Sequence, residues 1–293
     1  MADCHTIEPS MNKLSISLII PAYNEERYLA ACLDAVAKQI VKPYEVIVID
    51  NNSSDSTSAI ASRYTFVKII KETSQGVIHA RSTGFDAASG DIIARIDADT
   101  LLPSDWIANL KSIFQSDKEL DAVSGAVSYY DLPYNKLASR IDLIFRQSIA
   151  NRMGDEVFLY GANMAIRRNS WTKAKPFLCK VGGLHEDFDL AIHAQETGSK
   201  VVFDRRLKAS VSLRRINVSW PHFLQYAMLN PRTYAVHGKT TQRNMYGALV
   251  LVLSFFWFIK LLHRSYDAKT LRYSWQKFFT SADTRPNPAT FVD

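Results

Sequence analysis

Glycine is missing from the first 75 residues of this 293-residue chain; the earliest is Gly76. A GxGxxG dinucleotide turn or a Walker phosphate loop needs glycines directly after the first strand, so both are excluded there. A ligand at that end must be met by side chains instead. Cysteine is scarce as well. Cys4, Cys32 and Cys179 are odd in number and show no CxxC spacing. That excludes a disulfide framework, and the three read as reduced thiols, with Cys32 in a core. No zinc-ligand spacing, basic recognition helix or RNP-like aromatic motif is present, so nucleic acid is not an expected partner. No basic n-region precedes LSISLII, which is short and ends at Pro21, so a signal peptide is not expected. A reducing cytoplasm is the expected setting.

Composition is otherwise that of a globular protein, with 47% hydrophobic and 22% charged residues. The charge is unevenly spread. From Arg205 onward fourteen Lys/Arg face three acids, a surplus of +11, and the total of +6 therefore leaves −5 on residues 1–204. An acidic body with a basic C-terminal quarter points to an anionic surface partner, membrane headgroups or phosphates.

Strand-like and helix-like runs alternate. SISLII (15–20), YEVIVID (44–50), FVKII (66–70) and DIIARID (91–97) read as strands. Between them, Leu29, Cys32, Leu33 and Val36 recur at helical spacing after a candidate N-cap, Asn24. SSDSTSAIASRY reads as a helix opened by Ser53 or Ser54, and Val77, Ile78, Arg81 and Phe85 mark a third helix. This alternation predicts a three-layer α/β sandwich around a mainly parallel sheet. Ligands of such sheets bind at the carboxyl ends of strands. Pro21–Glu25, Asp50–Asp55 and Asp97–Asp99 all fall at such ends.

The strand DIIARID closes on Asp97 and Asp99, one residue apart. Residues i and i+2 of a strand point the same way, so the two carboxylates meet and repel. Either they cap a solvated turn, or a hard cation, Mg2+ or Mn2+, sits between them and is shared with a phosphate ligand.

Five segments, IIPAYNEE (19–26), VIVIDNNSSDST (46–57), GVIHARSTGFDAASGDIIARIDADT (76–100), YGANMAIRR (160–168) and GGLHEDFDLAIHAQETGSKVVFD (182–204), resemble family 2 glycosyltransferases in order and register. The resemblance covers roughly residues 14–215. It implies a GT-A fold and inverting transfer of a sugar from a nucleotide-diphosphate donor, with a UDP-sugar first among candidates. It places Pro21, Tyr23, Glu25, Asp50, Arg81 and Asp97 around the nucleotide, Asp50 near the base and Glu25 near the ribose. Asn51 departs from the family's common Asp-Asp pair. DAD resembles the DXD motif, with Asp99 and Asp97 holding Mn2+ or Mg2+ at the diphosphate. In HEDFDL, Asp187 resembles the catalytic base, with Glu186 and Asp189 in support. Gly161, Ala162 and Asn163 resemble a strand lining the donor sugar or acceptor. Asp50 also reads as a strand-end cap, Arg81 as a surface helix charge, and the HEDFDL acids as partners of a helix N-terminus. His185, His193, His222 and His237 are given no metal. The QxxRW motif of processive synthases is absent, which favours single-sugar transfer.

YGALVLVLSFFWFI (246–259) is a 14-residue uncharged run. As a helix it would span about 21 Å at ~1.5 Å per residue, against roughly 30 Å of bilayer core. Basic residues flank both sides, so the segment is expected to lie on the inner face of the cell membrane, held by Trp257 with Lys260 snorkelling. A core or dimer helix is the first alternative, and a true span the second. The expected division is a tail (1–13), a glycosyltransferase domain (14–215), a helical acceptor-side or linker region (216–245), the apolar helix (246–263) and a basic tail (264–293). The expected partners are a nucleotide-sugar donor, a glycan or lipid-linked acceptor and an anionic membrane. Two other functions fit an α/β sheet, a sugar-phosphate nucleotidylyltransferase and an inactive nucleotide-sugar-binding scaffold. The first wants an N-terminal glycine loop, and the second does not need Asp97, Asp99 and Asp187 together.

Overall fold

The computed structural model describes residues 14–132, 135–153, 158–179, 182–239 and 242–267, with 270, 272–274, 276 and 279 beyond. The expected N-terminal tail and most of the basic C-terminal tail lie outside the described residues. Strands β1 (Ile16–Ala22), β2 (Glu45–Asp50), β3 (Val67–Lys71) and β4 (Ile92–Arg95) alternate with helices α1 (Leu29–Ala37), α2 (Thr57–Ala61), α3 (Val77–Ala87) and α4 (Trp106–Ser116). Then come β5 (Leu120–Tyr129), α5 (Asn135–Met153), β6 (Met164–Arg167), α6 (Arg168–Ala174), α7 (Glu186–Glu196) and β7 (Lys200–Val211). Three helices follow, α8 (Trp220–Ala227), α9 (Leu229–Val236) and α10 (Gln242–Ser265), and then a separate antiparallel pair of two-residue strands, Tyr266–Asp267 and Arg272–Tyr273.

The seven strands form one sheet in the order β3-β2-β1-β4-β6-β5-β7. β6 runs antiparallel to both neighbours, β4 and β5, while the other pairings are parallel. Strand residues alternate between two buried faces, as a pleated strand requires. Ile16, Leu18 and Ile20 of β1 pack with α1, α2 and α4, whereas Ile19 packs with α3, α6 and α7 on the opposite face. Each such fully buried Leu or Ile contributes roughly 1.5–3 kcal/mol. Cys32 is a fully buried core residue, as expected.

Two expected caps are used elsewhere. Asn24 adopts left-handed backbone, φ 53°, and its Oδ1 accepts the Ser54 N–H at 2.9 Å; α1 begins only at Leu29, behind Tyr28. The Ser53 N–H donates to Asp50 Oδ1 at 3.0 Å, so α2 opens behind Ser56 rather than Ser53 or Ser54. Asn24 Oδ1, and Ser53 Oγ, which accepts the Asn24 N–H at 3.1 Å, instead tie the β1 and β2 loops together.

Among the described residues no helix is long and apolar enough to cross a membrane. α10 has two apolar faces. Phe256 is fully buried with Ile216, Phe223 and Ala227, and Leu249, Leu253 and Ile259 pack beside them. Tyr246, Val250, Trp257, Phe258 and Leu261 are exposed. Lys260 does not snorkel: its Nζ donates to the Val218 carbonyl at 2.7 Å and lies 5.2 Å from the Phe256 ring centre.

Candidate functional site

Because β1, β2 and β4 are parallel, their carboxyl ends share one edge of the sheet. β6 points the other way, with Arg95 opposite Met164, so Gly161–Asn163, just before β6, reach the same edge. β7 ends there too, and the turn after it delivers Arg214. The β1–β4 ladder stops at Ile19↔Arg95, and Pro21 has no N–H with which to extend it. Pro21 and the half-buried Tyr23 then lead the chain out of the sheet to Glu25.

The paired carboxylates are answered first by the chain's own cations. Asp99 is 1% exposed, and its Oδ2 accepts the Arg214 Nε–H at 3.0 Å. The same guanidinium donates from Nη2 to both oxygens of Glu25, at 2.7 and 2.6 Å, and lies 4.1 Å from the Tyr28 ring centre. Asp97 pairs with Arg95 Nη2 at 3.4 Å. Arg214 and Arg95 thus share the space in which a hard cation is expected. Burying a carboxylate beside another is tolerable when a guanidinium shares the space. Neither arginine is singled out by sequence reading, although Arg95 sits two residues before Asp97 with its side chain on the same side of the strand.

The N-terminus of α7 carries the second half of the site. Arg95 Nη1 donates to Asp187 Oδ1 and to Glu186 Oε1 at 3.1 Å. The Gly161 N–H donates to Asp187 Oδ2 at 2.8 Å. Glycine is required at 161 by close approach: a Cβ there would sit 2.6 Å from the Arg95 guanidinium carbon. Arg81 is 1% exposed and donates to the Glu186 carbonyl at 2.6 Å, with Trp171 beneath it at 5.7 Å. It is not a surface helix charge. The two neighbouring acids are driven apart. Burial, with the Glu186 anion adjacent, pushes Asp187 up to about 6 despite Arg95. Glu186 is held down at about 2, because Arg95, His185 and Arg81 outweigh its burial. The His185 ring stacks on Phe188 at 4.5 Å, with Nδ1 4.0 Å from Asp187 Oδ2.

Other expected site residues are placed differently. Asp50 is buried at the end of β2 and accepts from the Ser53 N–H, which is the strand-end cap geometry. Asn51 donates to the carbonyls of Glu72 and Ser74, at 3.0 and 2.6 Å, and accepts the Gly76 N–H at 2.8 Å. An aspartate could not donate, which gives the departure from an Asp-Asp pair a physical reason. Asn163 does not line a sugar site. It is fully buried, accepting the Trp106 indole N–H at 2.9 Å and donating to Ala126 and Leu207 carbonyls at 2.8 and 3.0 Å. Its amide joins β6, β5 and β7 beneath the site.

Residues 17–174 match the description "Glycosyl transferase family 2". The chain belongs to that family. It is 30% identical over 169 residues to glycosyltransferase AglE of Haloferax volcanii, covering 55% of each chain. It is 29% identical over 150 residues to the undecaprenyl-phosphate 4-deoxy-4-formamido-L-arabinose transferase of Serratia proteamaculans, covering 48% of this chain and 46% of that one. The chain thus spans about half the length of these curated relatives. Among solved structures, the mannosyltransferase PcManGT from Pyrobaculum calidifontis, in complex with GDP-Man and Mn2+, superposes with TM-score 0.61 at 18% identity. That match covers 86% of this chain and 72% of that one. The fold is the GT-A fold, as the motif order implied.

For a family 2 chain the acids at the end of β4 are the candidate cation ligands. They offer oxygen donors only, and among the described residues neither belongs to a cluster of three candidate ligands. Mg2+ is characteristically held by one or two carboxylates with substrate phosphates completing the shell, and Mn2+ shares the preference for oxygen ligands. The donor set fits Mn2+ or Mg2+.

Proposed function

We propose that the chain is a metal-dependent inverting glycosyltransferase that moves one sugar from a nucleoside-diphosphate sugar to a hydroxyl of a lipid-linked or polysaccharide acceptor. The carrying observation is Asp187, a carboxylate pushed up to about 6 by burial and fixed by Arg95 and the Gly161 N–H at the sheet edge that also holds Asp97 and Asp99. A general base works best when its pKa lies near the working pH. Each carboxylate oxygen keeps a second lone pair beyond the bond it already accepts. Asp187 therefore takes the acceptor hydroxyl proton as that oxygen attacks the anomeric carbon and the nucleoside diphosphate leaves from the opposite face. Arg95 holds the carboxylate, and Glu186 stays ionised beside it. Asp99 and Asp97 are the residues that would hold Mn2+ or Mg2+, which when bound neutralises charge on the departing diphosphate.

The acceptor class is supported by the relative named for undecaprenyl-phosphate, and the donor class by the GDP-Man and Mn2+ of the structural neighbour. Peripheral attachment to the inner membrane face is supported by the exposed side of α10 and the basic C-terminal quarter. A thermal-shift screen of UDP- and GDP-sugars, each with Mn2+, Mg2+ or EDTA, tests the reading, because ligand bound only to the folded state raises its apparent stability. One donor should raise Tm with the metal and not with EDTA. Transfer at full rate in excess EDTA would sink the metal dependence. Protection by sugar phosphates and nucleoside triphosphates alone would favour the nucleotidylyltransferase.

A further inference from the structure

Four side chains that carry no part of the proposed chemistry converge on one point on the far side of α7. They are Cys179, Asp189, His193 and His237. His237 Nε2 lies 3.2 Å from His193 Nε2 and 3.5 Å from Cys179 Sγ. Asp189 Oδ1 lies 3.1 Å from His237 Nε2 and 3.5 Å from His193 Nε2. Cys179 Sγ lies 3.9 Å from His193 Nε2. Zn2+ binds nitrogen at about 2.0–2.1 Å and sulfur at about 2.3 Å in a tetrahedron, whose edges are then roughly 3.3–3.6 Å. The observed separations scatter around that length.

The surrounding atoms orient the four donors inward. His237 Nδ1 faces the Thr233 carbonyl at 2.8 Å, which only accepts, so Nδ1 carries the hydrogen and Nε2 presents its lone pair. His193 Nδ1 faces Glu196 Oε2 at 3.0 Å in the same way. Metal-bound histidines are typically held through the other ring nitrogen by a carboxylate or carbonyl. The Cys179 N–H donates to Asp189 Oδ2 at 3.1 Å, turning Oδ1 toward the rings. The Asp189 side chain is 4% exposed, and Oδ1 is a buried oxygen with no hydrogen-bond donor. Two lone pairs, a carboxylate oxygen and a sulfur facing one another repel unless protons or a cation lie between them, and one cation satisfies all four at once.

We infer that Cys179, Asp189, His193 and His237 bind a structural Zn2+. The sulfur and two imidazoles select against Mg2+ and Mn2+, and four protein donors leave no open position for substrate. The site would pin the chain after α6 and the end of α9 to α7, the helix whose first turn carries Asp187. That clamp is separate from the candidate cation pair at Asp97 and Asp99.

The full chain, purified without chelator or added metal, should contain one zinc per chain by elemental analysis. Asp99→Asn should keep it, whereas Cys179→Ala and His237→Ala should lose it and melt at lower temperature. Replacement by Co2+ should give a thiolate charge-transfer band, which Cys179→Ser abolishes while the protein stays folded. Wild-type protein that holds no zinc and whose Tm ignores added Zn2+ overturns the site. So does zinc that survives both Cys179→Ala and His237→Ala. In the first case the four side chains are held together by hydrogen bonds alone.

Discussion

Arg95 is the residue whose removal separates the electrostatic account of the site from a merely structural one. Its side chain is 3% exposed and it meets Asp97, Glu186 and Asp187, themselves 13%, 8% and 5% exposed. Replacement by Met keeps the length and deletes the charge. Removing one partner of a buried ion pair typically costs about 3–5 kcal/mol. Arg81 still lies against Glu186, so the three contacts do not add, and the same ~3–5 kcal/mol is expected for the whole substitution. The cost should depend on pH. Glu186, held at about 2, contributes stability that is present above its ordinary 4.5 and lost as pH falls through about 2. Asp187, raised to about 6, contributes stability below its ordinary 3.8 that is lost as pH rises through about 6. Without Arg95 the first contribution shrinks and the second carboxylate becomes costlier to ionise, so the deficit grows from acid toward neutral pH.

The catalytic consequence can be worked in the same terms. A guanidinium in contact lowers a carboxylate pKa by roughly 1–3 units. Arg95→Met should therefore move the acidic limb of the kcat/KM profile from about 6 toward ~8, taking the middle of that range. The ionised fraction of the base at pH 7 then falls, and the lost rate returns at alkaline pH. Arg95→Lys should move the limb less, since an ammonium keeps the charge but cannot span three carboxylates. Urea unfolding across pH and initial-rate profiles read both effects. A limb that stays near 6 in Arg95→Met, or a loss of rate that is the same at every pH, refutes this reasoning.

Asp187→Asn should lower transfer by about 10²-fold or more while nucleotide affinity, read by calorimetry, stays within a few-fold; if Glu186→Gln is the dead variant instead, the base is misassigned. In the wild type, rate should rise with pH through about 6, since the base must be ionised. Asp99→Asn should abolish metal-dependent donor binding yet leave the fold intact, because Arg214 keeps its two bonds to Glu25; full activity in Mn2+ would remove Asp99 from the metal. Asn163→Leu should cost at least ~1–3 kcal/mol by stranding the Trp106 N–H and two carbonyls, with sugar KM unchanged. A raised KM at unaltered stability would return Asn163 to the sugar site.

Periodicity and strand-end placement made the sheet, its two helical layers and the shared edge readable from sequence, because hydrophobic alternation reports directly on burial. The two halves of the site were readable as acids and not as ion pairs. Arg214 lies 115 residues from Asp99 and 189 from Glu25, and no local pattern joins them. Arg95 was hidden for another reason: a basic residue inside an apolar strand has no periodic signature. Asn163 lies two residues from Gly161 in sequence, yet β6 turns its amide into the core. The histidines are a similar case. Asp189 and His193 share one helix face at i,i+4, but His237 arrives from α9 and Cys179 from the chain after α6.

The apolar run at 246–259 has two faces, one buried and one exposed. Inward, Phe256 packs 4.9 Å from Trp220 and 4.4 Å from Phe223, and Lys260 bonds Val218. Removing residues 246–293 would uncover Ile216, two residues from Arg214, so deletion confounds membrane binding with loss of the donor site. The outward face separates them. Val250, Trp257, Phe258 and Leu261 are 66%, 63%, 60% and 46% exposed, and each large apolar side chain withdrawn from water contributes roughly 1.5–3 kcal/mol. Basic residues attract anionic headgroups, but that attraction fails in 1 M salt, where the Debye length is ~3 Å. Wild-type protein should therefore sediment with anionic vesicles and remain bound in 1 M salt, and detergent should release it. The combined variant Val250→Ser, Trp257→Ser, Phe258→Ser and Leu261→Ser should still bind at low salt, dissociate at high salt, and keep its metal-dependent donor binding, with a lowered Tm because Trp257 stacks on Trp220 at 6.0 Å. Wild-type protein that stays in the supernatant overturns membrane attachment. If it is also a dimer that the four substitutions dissociate, a second copy of the chain covers α10 instead.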